Sequence, residues 1–164
     1  MTLSARSRPT PPLGIQPASF AQTAEEHLYD VYAYLGSLTR DRSLAEELVA
    51  DTFEKALRSW RRFDARRGSA RTWLCQIART TALDWFRAEE RRRRREERAA
   101  APEQVDASFA EGLSPDLEVA LAALSAGERE VIALRILLAR DGDEAARVLG
   151  ISPTAVSTRL SRAL

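Results

Sequence analysis

Cysteine, histidine and long apolar runs are scarce in this chain of 164 residues. Cys75 is the single cysteine and His27 the single histidine, so an internal disulfide is impossible and a Cys/His zinc site is not expected. No apolar run approaches the roughly 18–20 residues that a membrane-spanning helix needs. The first residues also lack the apolar segment of a secretory signal. We therefore expect a cytoplasmic protein without a metal site, a cofactor or a membrane-inserted segment.

Charged residues are abundant, at 30% of the chain, but they are unevenly placed. Residues 1–100 contain 19 Lys and Arg against 14 Asp and Glu, whereas residues 101–164 contain 6 against 10. The run Arg91–Arg95 contributes most to the basic excess of the first part. A concentrated basic segment in a chain whose net charge is only +1 favours a polyanionic partner.

Three helical patterns fill residues 22–95. Capping-box spacings at Thr23–Glu26 and Ser43–Glu46 predict the starts of the first and second helices, the second ending near Arg62. Gly68-Ser69 predicts the start of a third helix, which no glycine or proline interrupts before Arg95. Three helices with apolar stripes and short loops can close a core of about 70 residues, with Cys75 as one of its small members.

Two outward faces of these helices are candidate binding surfaces. The third helix places an apolar stripe from Trp73 to Trp85 on one side and presents on the other Gln76, Arg79, Thr80, Leu83 and Arg87, followed by Arg91–Arg95. Such a row suits a polyanion, and a solvated arginine face is the alternative. The second helix exposes a mostly acidic stripe of Glu47, Asp51, Glu54 and Arg58. This stripe is either a docking face for a large partner or an ordinary solvent-exposed surface.

Two segments lack helical periodicity. Residues 1–21 contain four prolines among serine and threonine, which predicts a disordered arm. Residues 96–115 are dominated by alanine, glutamate, proline and serine, which predicts a flexible linker. Fully stretched, this linker would reach about 65 Å, so it can hold two modules on separate sites of one extended ligand.

Residues 116–164 carry the most specific pattern, a helix-turn-helix. It is preceded by a short helix from Asp116 to Leu124. A third capping box at Ser125–Glu128 then predicts the start of another helix, which Gly142 is expected to end. Ala146, Gly150 and Val156 have the spacing of a helix-turn-helix: a small residue at the helix contact, a glycine in the turn and a β-branched packing residue.

The second helix of this unit has a polar outer face. Ser152 caps the helix and Pro153 occupies its first position, while short hydroxyls and one arginine face outward: Thr154, Ser157, Thr158, Ser161 and Arg162. Such a face fits a DNA major groove, where it can contact phosphates and base edges. An ordinary helical hairpin with a polar exterior is the alternative.

Together these patterns resemble the bacterial sigma-70 family, specifically its small extracytoplasmic-function (ECF) group, which contains only the second and fourth sigma regions. Leu44–Phe53 is similar to the family's helix for binding core RNA polymerase. Trp73–Arg79 and Asp84–Arg87 resemble its helix for the minus-ten promoter element, although Thr80 stands where most relatives have asparagine. Five further segments resemble the family's module for the minus-thirty-five element: Glu128–Val131, Leu134-Arg135, Leu149–Val156, Arg159-Leu160 and Arg162-Ala163.

The resemblance implies an all-α fold of two small helical domains and a non-enzymatic subunit of the transcription machinery. The implied domains are region 2 over residues 22–95 and region 4 over residues 116–164. The implied partners are core RNA polymerase, through the clamp of its largest subunit and its flap, promoter DNA, and an anti-sigma factor. A sigma mimic that titrates an anti-sigma factor and a helix-turn-helix regulator are the alternatives.

The resemblance also assigns roles to individual residues. The implied polymerase contacts are Glu46, Glu47, Asp51, Glu54 and Arg58. The implied minus-ten contacts are Arg61, Phe63, Asp64, Arg67, Trp73, Gln76, Arg79, Thr80, Leu83, Arg87 and Arg91, and the loop from Phe63 to Ser69 among them resembles the segment that captures a flipped base. The implied minus-thirty-five contacts are Ser152, Thr154, Ser157, Thr158, Ser161 and Arg162.

Overall fold

The computed structural model describes residues 19–97 and 115–164, in which every regular element is helical. The first module, residues 19–97, contains α1 (Phe20–Thr39), α2 (Arg42–Ser59), a 3-10 turn (Trp60–Arg62) and α3 (Ala70–Glu97). The second module, residues 115–164, contains α4 (Pro115–Ala123), α5 (Ala126–Ile132) with a following π-helical turn (Ala133–Leu137), α6 (Gly142–Leu149) and α7 (Pro153–Ala163). The all-α fold is confirmed. Within these ranges, no helix combines the length and apolar character that crossing a membrane requires.

The first helix begins one turn earlier than predicted. Ser19 is its N-cap, with a side chain that accepts a hydrogen bond from the Gln22 backbone N–H, and Thr23 is a buried residue inside the helix. The added turn carries Phe20, whose ring packs edge-on against Trp60. The helix therefore gains an aromatic contact by starting at the upstream cap. The rest of the predicted arm lies outside the described residues.

The second helix is capped by Asp41 instead of Ser43. The Asp41 carboxylate accepts a hydrogen bond from the Leu44 backbone N–H at 2.9 Å, so α2 starts at Arg42 and the predicted cap is wrong. Arg40, in the left-handed conformation, ends α1 directly before it. An aspartate immediately after such a turn is a better-placed cap than a serine already inside the first helical turn.

The predicted start of α3 is confirmed, because Ser69 Oγ accepts a hydrogen bond from the Thr72 backbone N–H at 3.1 Å. The three helices of the first module bury Val31, Tyr34, Leu35, Leu48 and Leu74. Cys75 is buried beside them, as predicted, and burial raises the pKa of its thiol to about 12. The thiol is therefore neutral at physiological pH, and its role is packing.

The break between α5 and α6 falls at Ala139 and not at Gly142. Ala139 has a left-handed φ of 48°, whereas Gly142 is the first residue of α6, capped by Asp141. The Arg140 backbone N–H donates to the Leu134 carbonyl at 2.8 Å, which closes the end of the π-helical turn. These local hydrogen bonds stabilise a conformation that alanine otherwise disfavours.

The helix-turn-helix is confirmed. Gly150 ends α6 with a φ of 65°, Ser152 caps α7 by accepting a hydrogen bond from the Ala155 backbone N–H, and Pro153 is the first residue of α7. Val156 is buried between the two helices. The left-handed φ is what favours glycine here. A steric clash is not the reason, because an added Cβ at this position would meet no neighbouring atom within 4 Å.

Replacing Gly150 with alanine is therefore expected to lower the free energy of unfolding by about 1 kcal/mol, solely through the left-handed backbone. Gly142→Ala is the matched control, because it also meets no atom within 4 Å but has no left-handed φ. Urea unfolding followed by circular dichroism measures both. Equal stabilities of the two variants would contradict the strain at Gly150.

The two modules pack against each other. α3 contacts α6, and α1 contacts both α5 and the π-helical turn. Buried apolar side chains of the two modules form one cluster, from Val31 in α1 to Val156 in α7. Residues 98–114, which contain most of the predicted linker, lie outside the described residues. The chain thus has two helical modules, but they share a core in this conformation.

Candidate nucleic-acid interface

The loop between α2 and α3 is held by stacked aromatic rings. The ring centroids of Trp60 and Phe63 are 5.1 Å apart and nearly parallel, and Phe63 lies 5.2 Å from Trp73 of α3. Phe20 of α1 packs edge-on against Trp60, with 5.5 Å between the ring centroids. This cluster fixes both ends of the loop, so the polar side chains between them have defined positions.

Within the loop, Arg66 binds the Asp64 carboxylate with two side-chain hydrogen bonds of 3.0 and 3.1 Å and one backbone N–H bond of 3.0 Å. These bonds, with a smaller contribution from the charge of Arg67, hold the pKa of Asp64 below its usual range. Asp64 is therefore an ionised acceptor at neutral pH. Arg66 was not among the residues that the sequence singled out, although its spacing from Asp64 suits a local turn.

Two pockets lie on either side of this loop. The first, of about 630 Å³, lies between the loop and the start of α1, and Arg61 is among its lining residues. The second, of about 290 Å³, lies between the loop and α3, with Arg147 of α6 also lining it. The structure brings together around this second pocket five of the eleven expected minus-ten residues: Phe63, Asp64, Arg67, Trp73 and Gln76.

The outward face of α3 is partly covered by the second module. The Gln76 side-chain amide donates to the Arg147 carbonyl at 3.1 Å, and Arg79 donates to the Glu130 carboxylate at 2.9 Å. The expectation of an open face is therefore wrong for Gln76 and Arg79. The cause is the contact between α3 and the second module, which periodicity within α3 cannot predict. The other residues of the face are exposed or half-buried: Thr80, Leu83, Arg87 and Arg91.

The basic end of α3 is exposed and partly neutralised by its own glutamates. Arg92 pairs with Glu89 at 2.7 Å and Arg94 pairs with Glu90 at 2.7 Å, both across one helical turn. Exposed pairs of this kind contribute little to stability, so a polyanion can replace the carboxylates at small cost. Arg91–Arg95 thus remain accessible to phosphates.

The acidic face of α2 is exposed as predicted. Glu46 pairs with Arg42, and Glu54 pairs with Arg58. Among the described residues, Glu47 and Asp51 form no ion pair. Two carboxylates on this face are therefore available to an external cation without breaking an internal pair.

The outer face of α7 is also exposed, with Thr154, Ser157, Thr158, Ser161 and Arg162 all accessible. Ser157 and Thr158 donate their hydroxyl protons to carbonyls one turn back in the helix. Their oxygens remain open as acceptors on the outer surface. Ser152 is also exposed, while its Oγ caps the helix.

Comparison with known proteins identifies the family. Residues 23–92 match Sigma-70 region 2, and residues 115–164 match Sigma-70, region 4. The chain is 30% identical over 145 residues to the ECF RNA polymerase sigma factor SigX of Bacillus subtilis. This alignment covers 82% of this chain and 74% of SigX. The chain is 34% identical over 149 residues to the ECF RNA polymerase sigma factor SigC of Mycobacterium tuberculosis, covering 88% and 77% of the two chains. This chain belongs to the sigma-70 family.

Solved structures agree with this assignment. The sigma factor RpoE of Bartonella quintana, in complex with the anti-sigma factor NepR, matches with a TM-score of 0.74 and 27% identity over 88% of this chain and 91% of that chain. CnrH, in complex with the cytosolic domain of CnrY, matches with a TM-score of 0.65 and 30% identity over 88% and 81%. The ECF resemblance is confirmed: the chain is a sigma factor that directs transcription initiation at promoters. Its region 2 is the first module and its region 4 the second.

The residues that join the two regions of this sigma factor were not identified from the sequence. Glu130 of α5, in region 4, is almost fully buried where this region contacts region 2. The Tyr34 hydroxyl of α1 donates a hydrogen bond to its carboxylate at 3.4 Å. Burial, followed by the nearby Glu130 charge, raises the pKa of Tyr34 well above its usual range. One sequence signal was available, because Glu130 falls one turn before Leu134 on the buried face of its helix. A glutamate at such a position requires a partner.

Proposed function

We propose that this sigma factor directs core RNA polymerase to promoters through three separate surfaces. The outer face of α7 contacts the minus-thirty-five element, the loop and α3 contact the minus-ten element, and the acidic face of α2 binds the polymerase. The observation that carries this proposal is the clustering of five of the eleven expected minus-ten residues around one pocket of about 290 Å³.

At the minus-ten element, the pocket beside the loop accepts a base from the opened strand. Extruding a base from a duplex costs a few kcal/mol, which base-specific contacts and stacking must offset. Phe63 and Trp73 supply aromatic surface, worth about 1–3 kcal/mol per stacked base. Asp64 supplies a carboxylate acceptor for a base amino group, and Arg61 and Arg67 contact the flanking phosphates.

The exposed part of α3 continues this contact along the DNA backbone. Thr80, Leu83 and Arg87 face the strand next to the pocket, and Arg91–Arg95 bind phosphates without selecting bases. Phosphate contacts release counterions, so each one adds to the salt dependence of binding in every promoter alike. Base preference therefore comes from the loop and the first turns of α3.

At the minus-thirty-five element, α7 lies in the major groove with its hydroxyl-rich face against the bases. Ser152 and Thr154 at its start and Arg162 near its end contact phosphates, and Ser157, Thr158 and Ser161 meet base edges between them. A helix N-terminus is itself suited to a phosphate, because its free N–H groups point outward.

Replacing Ser157 and Ser161 with asparagine is expected to change the preferred minus-thirty-five bases, because an asparagine amide pairs specifically with adenine and adds about 1–3 kcal/mol of discrimination. Selection from a randomised promoter library measures this preference, and the minus-ten preference in the same selection is the internal control. Ser43→Asn, an exposed change on α2, is the matched variant. An unchanged minus-thirty-five preference would contradict the orientation of α7.

The acidic face of α2 binds the clamp of the largest polymerase subunit through Glu46, Glu47, Asp51, Glu54 and Arg58. Region 4 binds the polymerase flap. Phosphodiester chemistry belongs to the polymerase, so the sigma factor is not itself an enzyme and acts in the cytoplasm, where promoters are transcribed. An anti-sigma factor is the expected inhibitor, since the solved relative from Bartonella quintana is bound to one.

In vitro transcription with core polymerase over a promoter library tests this function directly. The full chain is expected to select promoters with two conserved elements, and core polymerase alone is the control. A chain that binds an anti-sigma factor but selects no promoter would instead be a sigma mimic. The exposure of Arg87 and Arg91–Arg95 favours the sigma factor, because a mimic has no use for a basic DNA-binding face.

A further inference from the structure

Asp64, the carboxylate beside the expected base pocket, accepts three hydrogen bonds from one residue. The Arg66 backbone N–H and side-chain Nε each donate to Oδ1 at 3.0 Å, and Nη2 donates to Oδ2 at 3.1 Å. The two side-chain bonds form the paired geometry in which arginine binds a carboxylate most specifically. Arg66 therefore fixes both oxygens of the group that is expected to contact the captured base.

The loop places Arg66 on one side of this carboxylate. Asp64 lines both the larger and the smaller pocket, whereas Arg66 lines only the larger one. The Arg67 backbone N–H donates to the Asp64 carbonyl at 3.0 Å, so residues 64–67 form a turn that keeps the two side chains together. The guanidinium therefore approaches the carboxylate from the larger pocket and leaves the smaller pocket to a base.

The hydrogen bonds from Arg66 limit what Asp64 can still accept. A carboxylate has about four acceptor positions, two on each oxygen. Arg66 fills both positions on Oδ1 and one on Oδ2, so a single position remains, on Oδ2. The side-chain bonds from Arg66 are also the main reason that the pKa of Asp64 lies below its usual range. The carboxyl group is consequently ionised at neutral pH and cannot donate a hydrogen bond.

We propose that Arg66 determines the base preference of this pocket: by filling three acceptor positions of Asp64, it restricts the loop to a base that offers one donor group to the carboxylate, namely adenine or cytosine. This proposal rests on the proposed function, because that function assigns Asp64 to the captured base. Arg66 is a positioning residue, since it acts on the base only through Asp64.

Guanine is the base that this arrangement disfavours. An extruded base is recognised on its Watson–Crick edge, where guanine presents two adjacent donors, N1–H and the N2 amino group. A carboxylate accepts such a pair with one oxygen each. When Oδ1 is filled, the second donor of guanine has no acceptor, and an unpaired donor in the pocket weakens binding. Adenine and cytosine each present one amino group on this edge, for which the free position on Oδ2 is sufficient.

Removing the Arg66 side chain should relieve this restriction. In Arg66→Ala the backbone N–H bond to Oδ1 does not depend on the missing side chain, so the carboxylate gains one free position on each oxygen. This is the arrangement that guanine requires. Arg66→Lys keeps the charge but not the planar fork, so its base preference should fall between those of the wild type and Arg66→Ala.

The test uses the holoenzyme formed by the full chain and core polymerase, with a promoter library randomised over both elements. Asp64→Asn identifies the position read by Asp64, because the base preference changes there. At that position the wild type is expected to select adenine or cytosine. Arg66→Ala should raise the frequency of guanine relative to these bases roughly 10-fold, within the discrimination that a two-bond base contact provides. An unchanged minus-thirty-five preference in the same selection shows that each variant is folded.

Arg62→Ala is the matched control. Arg62 is exposed, lines the same two pockets and forms no hydrogen bond or ion pair with Asp64 within the described residues. Its replacement removes an equal charge and should leave the preferred base unchanged. The double variant Arg66→Ala with Asp64→Asn completes a double-mutant cycle: once the carboxylate is gone, removing the Arg66 side chain should have no further effect on the base preference.

Each outcome bears on the proposal. If the wild type already prefers guanine at this position, if Arg66→Ala leaves guanine as rare as before, or if Arg62→Ala enriches it equally, the restriction by Arg66 is wrong. If Arg66→Ala has the same effect with and without the Asp64 carboxylate, Arg66 contacts the base itself. The proposed function of the loop fails separately, when Asp64→Asn changes the preference at no position of the minus-ten element.

Discussion

Replacing Arg79 and Arg87 together with alanine is expected to lower promoter opening by roughly 100-fold or more, because each guanidinium loses charge-assisted hydrogen bonds worth about 1.5–3 kcal/mol. The two residues lie about two turns apart on α3, so we expect them to contact neighbouring parts of the same strand. Permanganate reactivity of unpaired thymines measures opening. Capture on core polymerase is expected to be unchanged, because the acidic face of α2 is intact.

Two controls separate this effect from a general loss of charge or from loss of the Arg79–Glu130 contact between the modules. Arg93→Ala with Arg95→Ala removes the same charge from the same helix and should weaken all promoters by a few-fold, with a smaller salt dependence. Arg87→Ala alone leaves the Arg79–Glu130 pair intact and should still reduce opening. Normal transcription by the Arg79 and Arg87 variant would contradict the assignment of α3 to the minus-ten element.

Changing Glu47 and Asp51 to lysine is expected to weaken holoenzyme formation by about 10- to 100-fold, because two attractive charges become repulsive against a basic partner surface. These two residues give the clearest test on α2, because both are exposed and neither forms an ion pair within the described residues. Titration of core polymerase with a labelled sigma factor measures the affinity.

The matched control for this reversal is Glu25→Lys with Glu26→Lys, which changes the net charge equally at exposed positions of α1. This control should bind polymerase as the wild type does. If both double variants bind equally well, the acidic face is an ordinary solvated surface. A reduced affinity that disappears at high salt would support a direct electrostatic contact.

The two predictions address different states of the molecule. In the free chain, Arg79 is bound to Glu130, whereas Glu47 and Asp51 are exposed. The proposed polymerase surface is therefore exposed, whereas part of the proposed minus-ten surface is covered by region 4.

Local structure was predictable because its signals act within a few residues. The turn at Gly150, the cap at Ser152 and the burial of Val156 depend only on neighbouring backbone and on helical spacing. The burial of Cys75 and the exposure of Glu47 and Asp51 follow from the same periodicity. Where such signals competed, prediction failed: Ser19 and Asp41 replaced the expected caps because Phe20 packing and an upstream turn favoured the earlier start.

The sequence by itself determined the helices, the helix-turn-helix and the membership of the chain in its family, because caps, periodicity and motif order are written along the chain. Only the tertiary structure decided which side chains of the expected DNA-binding face are free. Arg79 and Gln76 are covered by partners far away in the sequence, Glu130 and Arg147, and no periodicity within α3 records those partners. Whether a side chain on an outward face meets solvent, DNA or another part of its own chain depends on how the modules pack.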